Sequence, residues 1–206
     1  MRQLIVALLL FSALFARADD PFASKIANPL APAELLALLR EGGNVIYFRH
    51  AATTNIKDRD ASRLDDCSTQ RNLSDEGRAQ ARAIGDAFRR LGIAVDAVLA
   101  SPYCRTQDTA RLAFGRVEVA MDLFSLGQPK HPDDKARAEQ LRERLGTPPA
   151  AGKNTVLVSH GSPLDSVAGE FLNEGEAAVA RPDGSGRFRL VARVRAEQWA
   201  DWFPAR

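Results

Sequence analysis

Two histidines, each placed directly after a short apolar run, are the residues of this chain best suited to chemistry. His50 follows the run 45–48 and Arg49, and His160 follows the run 155–158. The chain has only three histidines, so two of them at such positions form a pattern. A neutral imidazole can attack phosphorus, and a guanidinium can donate two parallel hydrogen bonds to a phosphate. The pattern therefore points to phosphoryl transfer.

Strands and helices alternate along the sequence and must bring these residues together. Strands are predicted over the runs 44–48, 95–100 and 155–159. Helical patterns cover 32–40, 74–91, 106–114, 134–145 and 162–171, and a terminal hairpin is predicted over 177–194. This alternation predicts one α/β domain, a three-layer sandwich with a mostly parallel central sheet flanked by helices. Ligands bind outside the carboxyl ends of such strands, so the loops starting at Arg49, Ser101 and His160 should meet at one edge.

The N-terminal segment has the features of a secretory signal peptide. A basic start at Arg2 precedes an apolar stretch over 4–15 and an Ala-x-Ala site ending at Ala18. We expect residues 1–18 to be a signal peptide and 19–206 the domain, which predicts a periplasmic or secreted protein. An uncleaved anchor stays open, because Arg17 is unusual so near a cleavage site. No other segment is predicted to span a membrane.

Net charge and cysteine content further narrow the partners and cofactors that the protein is expected to have. The formal charge of +2 falls to zero without residues 1–18, so no basic field favours a nucleic-acid partner. In an exported protein the two cysteines, Cys67 and Cys104, favour a disulfide, although two unrelated thiols are the alternative. No C-x-x-C or H-x-x-x-H spacing accompanies them, so we expect no metal and no cofactor.

Four motifs resemble those of the histidine phosphatase (phosphoglycerate mutase-like) superfamily, in the order in which that family has them. They are FRHAAT at 48–53, NLSDEGRAQA at 72–81, ASPYCRTQDTA at 100–110 and VSHG at 158–161. The resemblance implies a phosphoglycerate mutase-like fold. It also implies that His50 is the nucleophile, that Arg49 and Arg105 clamp the phosphate, and that His160 is a further phosphate contact.

Two further residues are candidates for binding the substrate. Thr53 closes the first motif, and Arg71 leads directly into the second, from a charged loop predicted over 51–72. A charged loop is more often simply solvated, so this role for Arg71 has an ordinary alternative. His131, between Lys130 and Pro132, is predicted to be a solvated loop residue.

The chain departs from the family pattern in ways that leave the proton donor unassigned. Ala51 stands where the family usually has glycine, and no glutamate occupies the usual Leu-x-Glu position. The candidates are Asp122, Glu174 and Glu176, with Glu176 slightly preferred because Gly175-Glu176 begins a return from loop to strand. A surface role for all three is the alternative.

These observations together predict an exported, metal-independent phosphomonoesterase of the histidine acid type, acting through phosphohistidine. The expected substrate is a phosphorylated small molecule or an envelope glycan, since the chain is similar to lipopolysaccharide core heptose phosphatases over 67–110 and 173–195. The competing hypothesis is a non-catalytic phosphate-binding or envelope interaction module on the same fold. The sequence does not indicate the oligomeric state.

Overall fold

The computed structural model describes residues 26–126 and 133–202, and these contain six strands and six α-helices. The strands are β1 Val45–Arg49, β2 Val95–Ala100, β3 Glu118–Val119, β4 Asn154–Ser159, β5 Ala177–Pro182 and β6 Phe188–Val194. The helices are α1 Pro32–Glu41, α2 Asp75–Leu91, α3 Cys104–Phe114, α4 Asp134–Gly146, α5 Gly161–Ala168 and α6 Ala196–Asp201. The predicted signal peptide and His131 lie outside the described residues.

The six strands form one mixed sheet in the order β3-β2-β4-β1-β5-β6. Neighbouring strands from β3 through β1 run parallel, β5 is antiparallel to β1, and β5 and β6 form the predicted hairpin. The four consecutive apolar residues of β1 are all buried, as expected for a strand covered on both faces. The predicted mostly parallel α/β sandwich is therefore confirmed.

Helices cover both faces of the sheet, and the alternation of side chains along β1 shows how the layers divide. Ile46 and Phe48 face a core formed with α1, α2, α3 and α6, whereas Val45 and Tyr47 face α4 and α5. Trp199 of α6 is buried in the first core. Within the described ranges, no helix has both the length and the apolarity needed to cross a membrane.

Local signals in the sequence explain where the helices begin and end. Ser74 caps α2 by accepting a 3.0 Å hydrogen bond from the Gly77 N–H, and Gly92 ends it in the left-handed conformation. Helix α5 ends earlier than predicted, because Gly169 has φ = 67° and stops it. The sequence pattern also missed the short helix α6. Residues 51–72 form a loop with a single 3₁₀ turn at Cys67–Thr69, as predicted.

Candidate active site

The register of the parallel strands brings the two histidines side by side. Arg49 of β1 pairs with Ser159 of β4, so His50 and His160 leave the sheet at the same level. The His50 N–H donates to the Ser159 carbonyl at 3.0 Å, and the two imidazole centroids lie 5.6 Å apart. Ser101 leaves β2 beside them, its N–H donating to the Val158 carbonyl. The expected meeting of the three loops at one edge is therefore confirmed.

His50 is held in an orientation that suits a nucleophile. Its Nδ1 lies 3.0 Å from the Ala51 carbonyl, which only accepts, so Nδ1 carries the proton and Nε2 the lone pair. Nε2 has no hydrogen-bond partner within the described chain. Burial holds the pKa of His50 well below its usual value, and the charges of Arg105 and Arg49 lower it further. The imidazole is therefore neutral at physiological pH.

His160 is equally buried but is held through its other nitrogen. Its Nε2 lies 2.8 Å from the Ser101 hydroxyl, and the Tyr47 hydroxyl donates to its backbone carbonyl at 2.8 Å. The edge of the Tyr103 ring packs against the imidazole. Burial is the main cause that lowers the pKa of His160, and Arg105 is the next. Nδ1 is thus the nitrogen left to contact a ligand.

Arg49 is fixed by the loop that follows α5. Its Nη1 donates to the Leu172 carbonyl at 2.9 Å, and its guanidinium lies 5.4 Å from the centroid of the Phe171 ring. That ring packs against Gly161, where a Cβ would approach it to 2.6 Å. A glycine at the start of α5 is therefore needed for Phe171 to support Arg49.

Arg105 projects from the first turn of α3 and is almost completely buried. Its guanidinium stacks over the Tyr103 ring at 4.1 Å, a cation–π contact. Nη1 donates to Asp58 at 3.2 Å and to the Arg71 carbonyl at 3.4 Å. Burial lowers the pKa of Arg105, and the Asp58 carboxylate opposes that shift. Arg105 is consequently a rigid cation facing both histidines.

Glu174 is the candidate proton donor that reaches this group. The Thr53 N–H and hydroxyl donate to its two carboxylate oxygens at 2.9 and 2.8 Å. Its Oε1 also lies 3.6 Å from Arg49 and 3.8 Å from Arg71. The Gly175 N–H donates to the His50 carbonyl, which anchors this loop at the end of β1. Thr53 and Arg71, the predicted substrate contacts, therefore join the site through Glu174.

The other two proton-donor candidates have partners elsewhere. Glu176, the one preferred from sequence, accepts from the Asn173 N–H at 2.7 Å and pairs with Arg193 of β6. Asp122 pairs with Arg144 of α4 and lines a separate cavity of about 570 Å³. Within the described residues, no hydrogen bond or ion pair joins any of the three carboxylates to a histidine side chain, but Glu174 is the one that lies beside Arg49. The geometry therefore favours Glu174 over Glu176, which the sequence had slightly preferred. The backbone turn at Gly175 directs Glu174 toward β1 and Glu176 toward β6.

The predicted disulfide between Cys67 and Cys104 is present. It joins the 51–72 loop to the first residue of α3, next to Arg105. The Cys104 N–H also donates to the Gln70 side chain at 2.9 Å. The loop bearing Asp58 and Arg71 is thereby tied to the helix bearing Arg105.

Comparison with known proteins finds one family model that matches part of the chain. Residues 45–124 match the model of the histidine phosphatase superfamily (branch 1). The matched segment contains His50 and Arg105, and the strand that pairs with β1 supplies His160 at the same level. Over this segment the chain is similar to histidine phosphatases. The match supports phosphoester hydrolysis in general terms.

Several solved phosphatases share the fold at low sequence identity. The protein histidine phosphatase SixA, complexed with tungstate, aligns with a TM-score of 0.53 at 17% identity, covering 75% of this chain and 98% of that one. A mycobacterial glucosyl-3-phosphoglycerate phosphatase with inorganic phosphate aligns at 0.50 and 17%, covering 76% and 99%. A phosphoserine phosphatase mutant from Entamoeba histolytica, in complex with phosphoserine, aligns at 0.50 and 15%, covering 75% and 98%. No curated protein matches the chain significantly in sequence.

Three residues of this site had not been given a role from the sequence. Ser101 and Tyr103 lie inside the third motif, so their position directly after β2 was a usable signal. Asp58 lies in an irregular loop, and nothing in its sequence neighbourhood indicated a partner 47 residues away. Ala51, the departure from glycine, is fully buried and still offers its carbonyl to His50.

Proposed function

We propose that this protein is an exported histidine phosphatase, a phosphomonoesterase that works through a phosphohistidine on His50 and needs no metal ion. One observation carries the proposal. A buried, neutral imidazole has its Nδ1–H engaged by the Ala51 carbonyl, while its Nε2 lone pair is unpartnered among the described residues. A lone pair held in this way is an activated nucleophile.

In the first step, the His50 Nε2 lone pair attacks phosphorus and the bond from phosphorus to the leaving oxygen breaks. Arg49 and Arg105 stabilise the charge on the other phosphate oxygens, and the His160 Nδ1–H donates to one of them. Fixed donors of this kind contribute most when they are buried and held in place beforehand. Arg105 on its Tyr103 platform meets that condition.

Glu174 is the proposed proton donor, because it is the candidate carboxyl group beside Arg49 and Thr53. Glu174 is ionised in the free enzyme and receives a proton from the phosphate monoanion as it binds. The leaving oxygen then takes the electron pair of the broken bond and that proton from Glu174. Water attacks the phosphohistidine, the P–N bond breaks, and its electron pair returns to Nε2. Glu174 accepts the proton from that water and passes it to the departing phosphate, so the enzyme returns to its starting state with alcohol and phosphate released.

Export and the substrate class are part of the proposal. The leader-like segment 1–18 and the disulfide both suit an oxidising compartment outside the cytoplasm. A periplasmic or secreted location brings a cell-envelope sugar phosphate within reach. That class of phosphorylated glycan is the first natural substrate to test.

The proposal is tested by hydrolysis of p-nitrophenyl phosphate by the purified chain, with and without EDTA. We expect turnover that EDTA does not change and that falls by about 10⁴-fold or more in His50→Ala. Mass spectrometry of the enzyme during turnover, carried out without an acid quench, should find a phosphoryl group on His50. His131→Ala, which removes the third histidine, is the matched control and should keep wild-type activity within about twofold.

Each other outcome has a definite meaning. Phosphate binding without turnover between pH 4 and 8 would favour the non-catalytic phosphate-binding module. Turnover that EDTA abolishes would contradict the metal-independent mechanism. A phosphoryl group on a residue other than His50 would contradict the assigned nucleophile.

A further inference from the structure

The charges around the histidines nearly balance before any ligand binds. Three guanidiniums belong to the site, those of Arg49, Arg71 and Arg105. Two carboxylates oppose them, since Glu174 lies beside Arg49 and Arg71, and Asp58 pairs with Arg105. Both histidines are neutral because burial lowers their pKa values. The site therefore has about one net positive charge, which suits one phosphate group and little more negative charge.

Asp58 is the carboxylate that links the 51–72 loop to Arg105. Its Oδ1 accepts from Arg105 Nη1 at 3.2 Å and from the Arg71 N–H at 2.6 Å. Its Oδ2 has no partner within the described chain, and 22% of the side chain is exposed. The negative charge of Asp58 therefore lies at the partly exposed edge of the site, next to the Arg105 guanidinium that is assigned to the phosphate.

Other cations of the same loop do little to offset this charge. The Arg59 guanidinium donates to the Ser68 carbonyl, and Arg63 pairs with Asp66. Lys57 is exposed, so its charge is solvated and screened by salt. A second anionic group on the Asp58 side of the reacting phosphate would meet that carboxylate, and the guanidinium of Arg71, the remaining cation of the site, already lies 3.8 Å from Glu174.

We propose that Asp58 is a specificity-determining residue, which restricts the site to phosphomonoesters without a second anionic group beside the reacting phosphate. This inference rests on the proposed phosphatase function and narrows its substrate class. Diphosphates and clustered polyphosphates are disfavoured, whereas uncharged, hydroxyl-bearing leaving groups are accepted. Hydroxyl groups can donate to the free Oδ2, which an anionic group cannot do.

The test measures ligand binding rather than activity, so that hydrolysis does not change the ligand concentration. In a His50→Ala background, calorimetry measures the dissociation constants of orthophosphate and pyrophosphate at one pH and ionic strength. The Asp58→Asn change keeps an oxygen acceptor for Arg105 and removes only the charge. We expect it to tighten pyrophosphate binding by about tenfold, and orthophosphate binding by no more than about threefold.

Asp65→Asn is the matched control, because Asp65 is an exposed carboxylate of the same loop. It should leave both constants within about twofold. Equal changes for the two anions in Asp58→Asn, or weaker binding of both, would overturn the inference and make Asp58 a support for Arg105 only. Failure of the proposed function is distinguishable, because it would appear as normal anion binding without hydrolysis of p-nitrophenyl phosphate by the His50-containing chain. A chain that binds neither anion would overturn both.

Discussion

The ends of the strands and the 51–72 loop form two sides of the site and hold their side chains by different means. His50 and Ser101 are fixed by backbone hydrogen bonds that continue the β1–β4 and β2–β4 ladders. The loop is fixed by single contacts, among them the Asp58 bond to the Arg71 N–H and the Cys67–Cys104 bridge. A strand ladder is cooperative, whereas a loop depends on a few separate bonds.

This difference indicates that the two sides of the site have different roles. The groups that make and break bonds with phosphorus need positions held within a fraction of an ångström, and the sheet supplies them. The loop contributes Asp58 and Arg71, whose charges act over longer distances and tolerate small displacements. Changes at the strand ends should therefore lower kcat, and changes in the loop should act mainly on stability and on ligand binding.

The largest effect on the loop side is expected from the disulfide. The bridge spans 37 residues, and its removal in the double variant Cys67→Ser/Cys104→Ser should cost about 3–4 kcal/mol of unfolding free energy. Because the bridge ties the loop to α3 beside Arg105, KM for p-nitrophenyl phosphate should rise by about tenfold, with kcat within about threefold. Urea denaturation and steady-state kinetics measure the two effects.

Wild-type protein treated with a reductant is the matched comparison for that variant, since it loses the bridge without losing the sulfur atoms. The reduced wild-type protein and the double variant should show the same loss of unfolding free energy and the same rise in KM. A fall in kcat larger than the rise in KM would contradict the division between the two sides, because the loop would then position the reacting groups.

The same division explains what the sequence could predict. His50 and His160 lie at the ends of predicted strands, and Arg105 lies at the end of the loop that follows a third strand, so the parallel sheet was enough to predict that they share one edge. Their order in the chain also matched a known family pattern. The register that aligns Arg49 with Ser159 was not predicted, because β1 is buried on both faces and a slip of one residue would keep its apolar side chains buried.

The loop side could not be predicted in this way. Asp58 reaches Arg105 across an irregular segment, where no periodicity relates sequence position to direction in space. The position of Glu174, rather than Glu176, beside Arg49 could not be predicted for a similar reason. The two glutamates are separated by Gly175 at φ = 78°, and a left-handed turn of that kind decides which carboxylate faces β1.

A smaller effect is expected at Ser101, a positioning residue at the end of β2. When its hydroxyl donates to His160 Nε2, the proton of the neutral imidazole stays on Nδ1, from which it can reach a phosphate oxygen. Ser101→Ala should lower kcat by about tenfold, the usual value of one hydrogen bond. Nitrogen-15 NMR of the imidazole should show a shift from the Nδ1–H tautomer toward a mixture.

Ser185→Ala, which removes a hydroxyl from the exposed β5–β6 turn, is the control and should change neither quantity. If kcat falls in Ser101→Ala while the tautomer of His160 stays the same, Ser101 acts through packing. That result would contradict its proposed influence on the proton.

The smallest effect on activity is expected from a change of pH. Because both histidines stay neutral in the folded protein, a lower pH should leave catalysis unchanged but reduce stability. Burial holds both pKa values well below 6.5, so the nucleophile stays unprotonated and kcat/KM should not decrease between pH 7 and 5.5. Unfolded histidines bind protons near pH 6.5. The unfolded state therefore gains protons that the folded state does not, and stability should decline below that pH, by at most about 1.4 kcal/mol per pH unit for each histidine. Denaturation of wild type and His160→Gln from pH 7.5 to 5 measures this decline in stability, and the decline should be shallower in the variant.

An activity loss centred near pH 6.5 would mean that His50 is exposed to solvent. That result would contradict the conclusion that the strand ends hold a buried, neutral nucleophile.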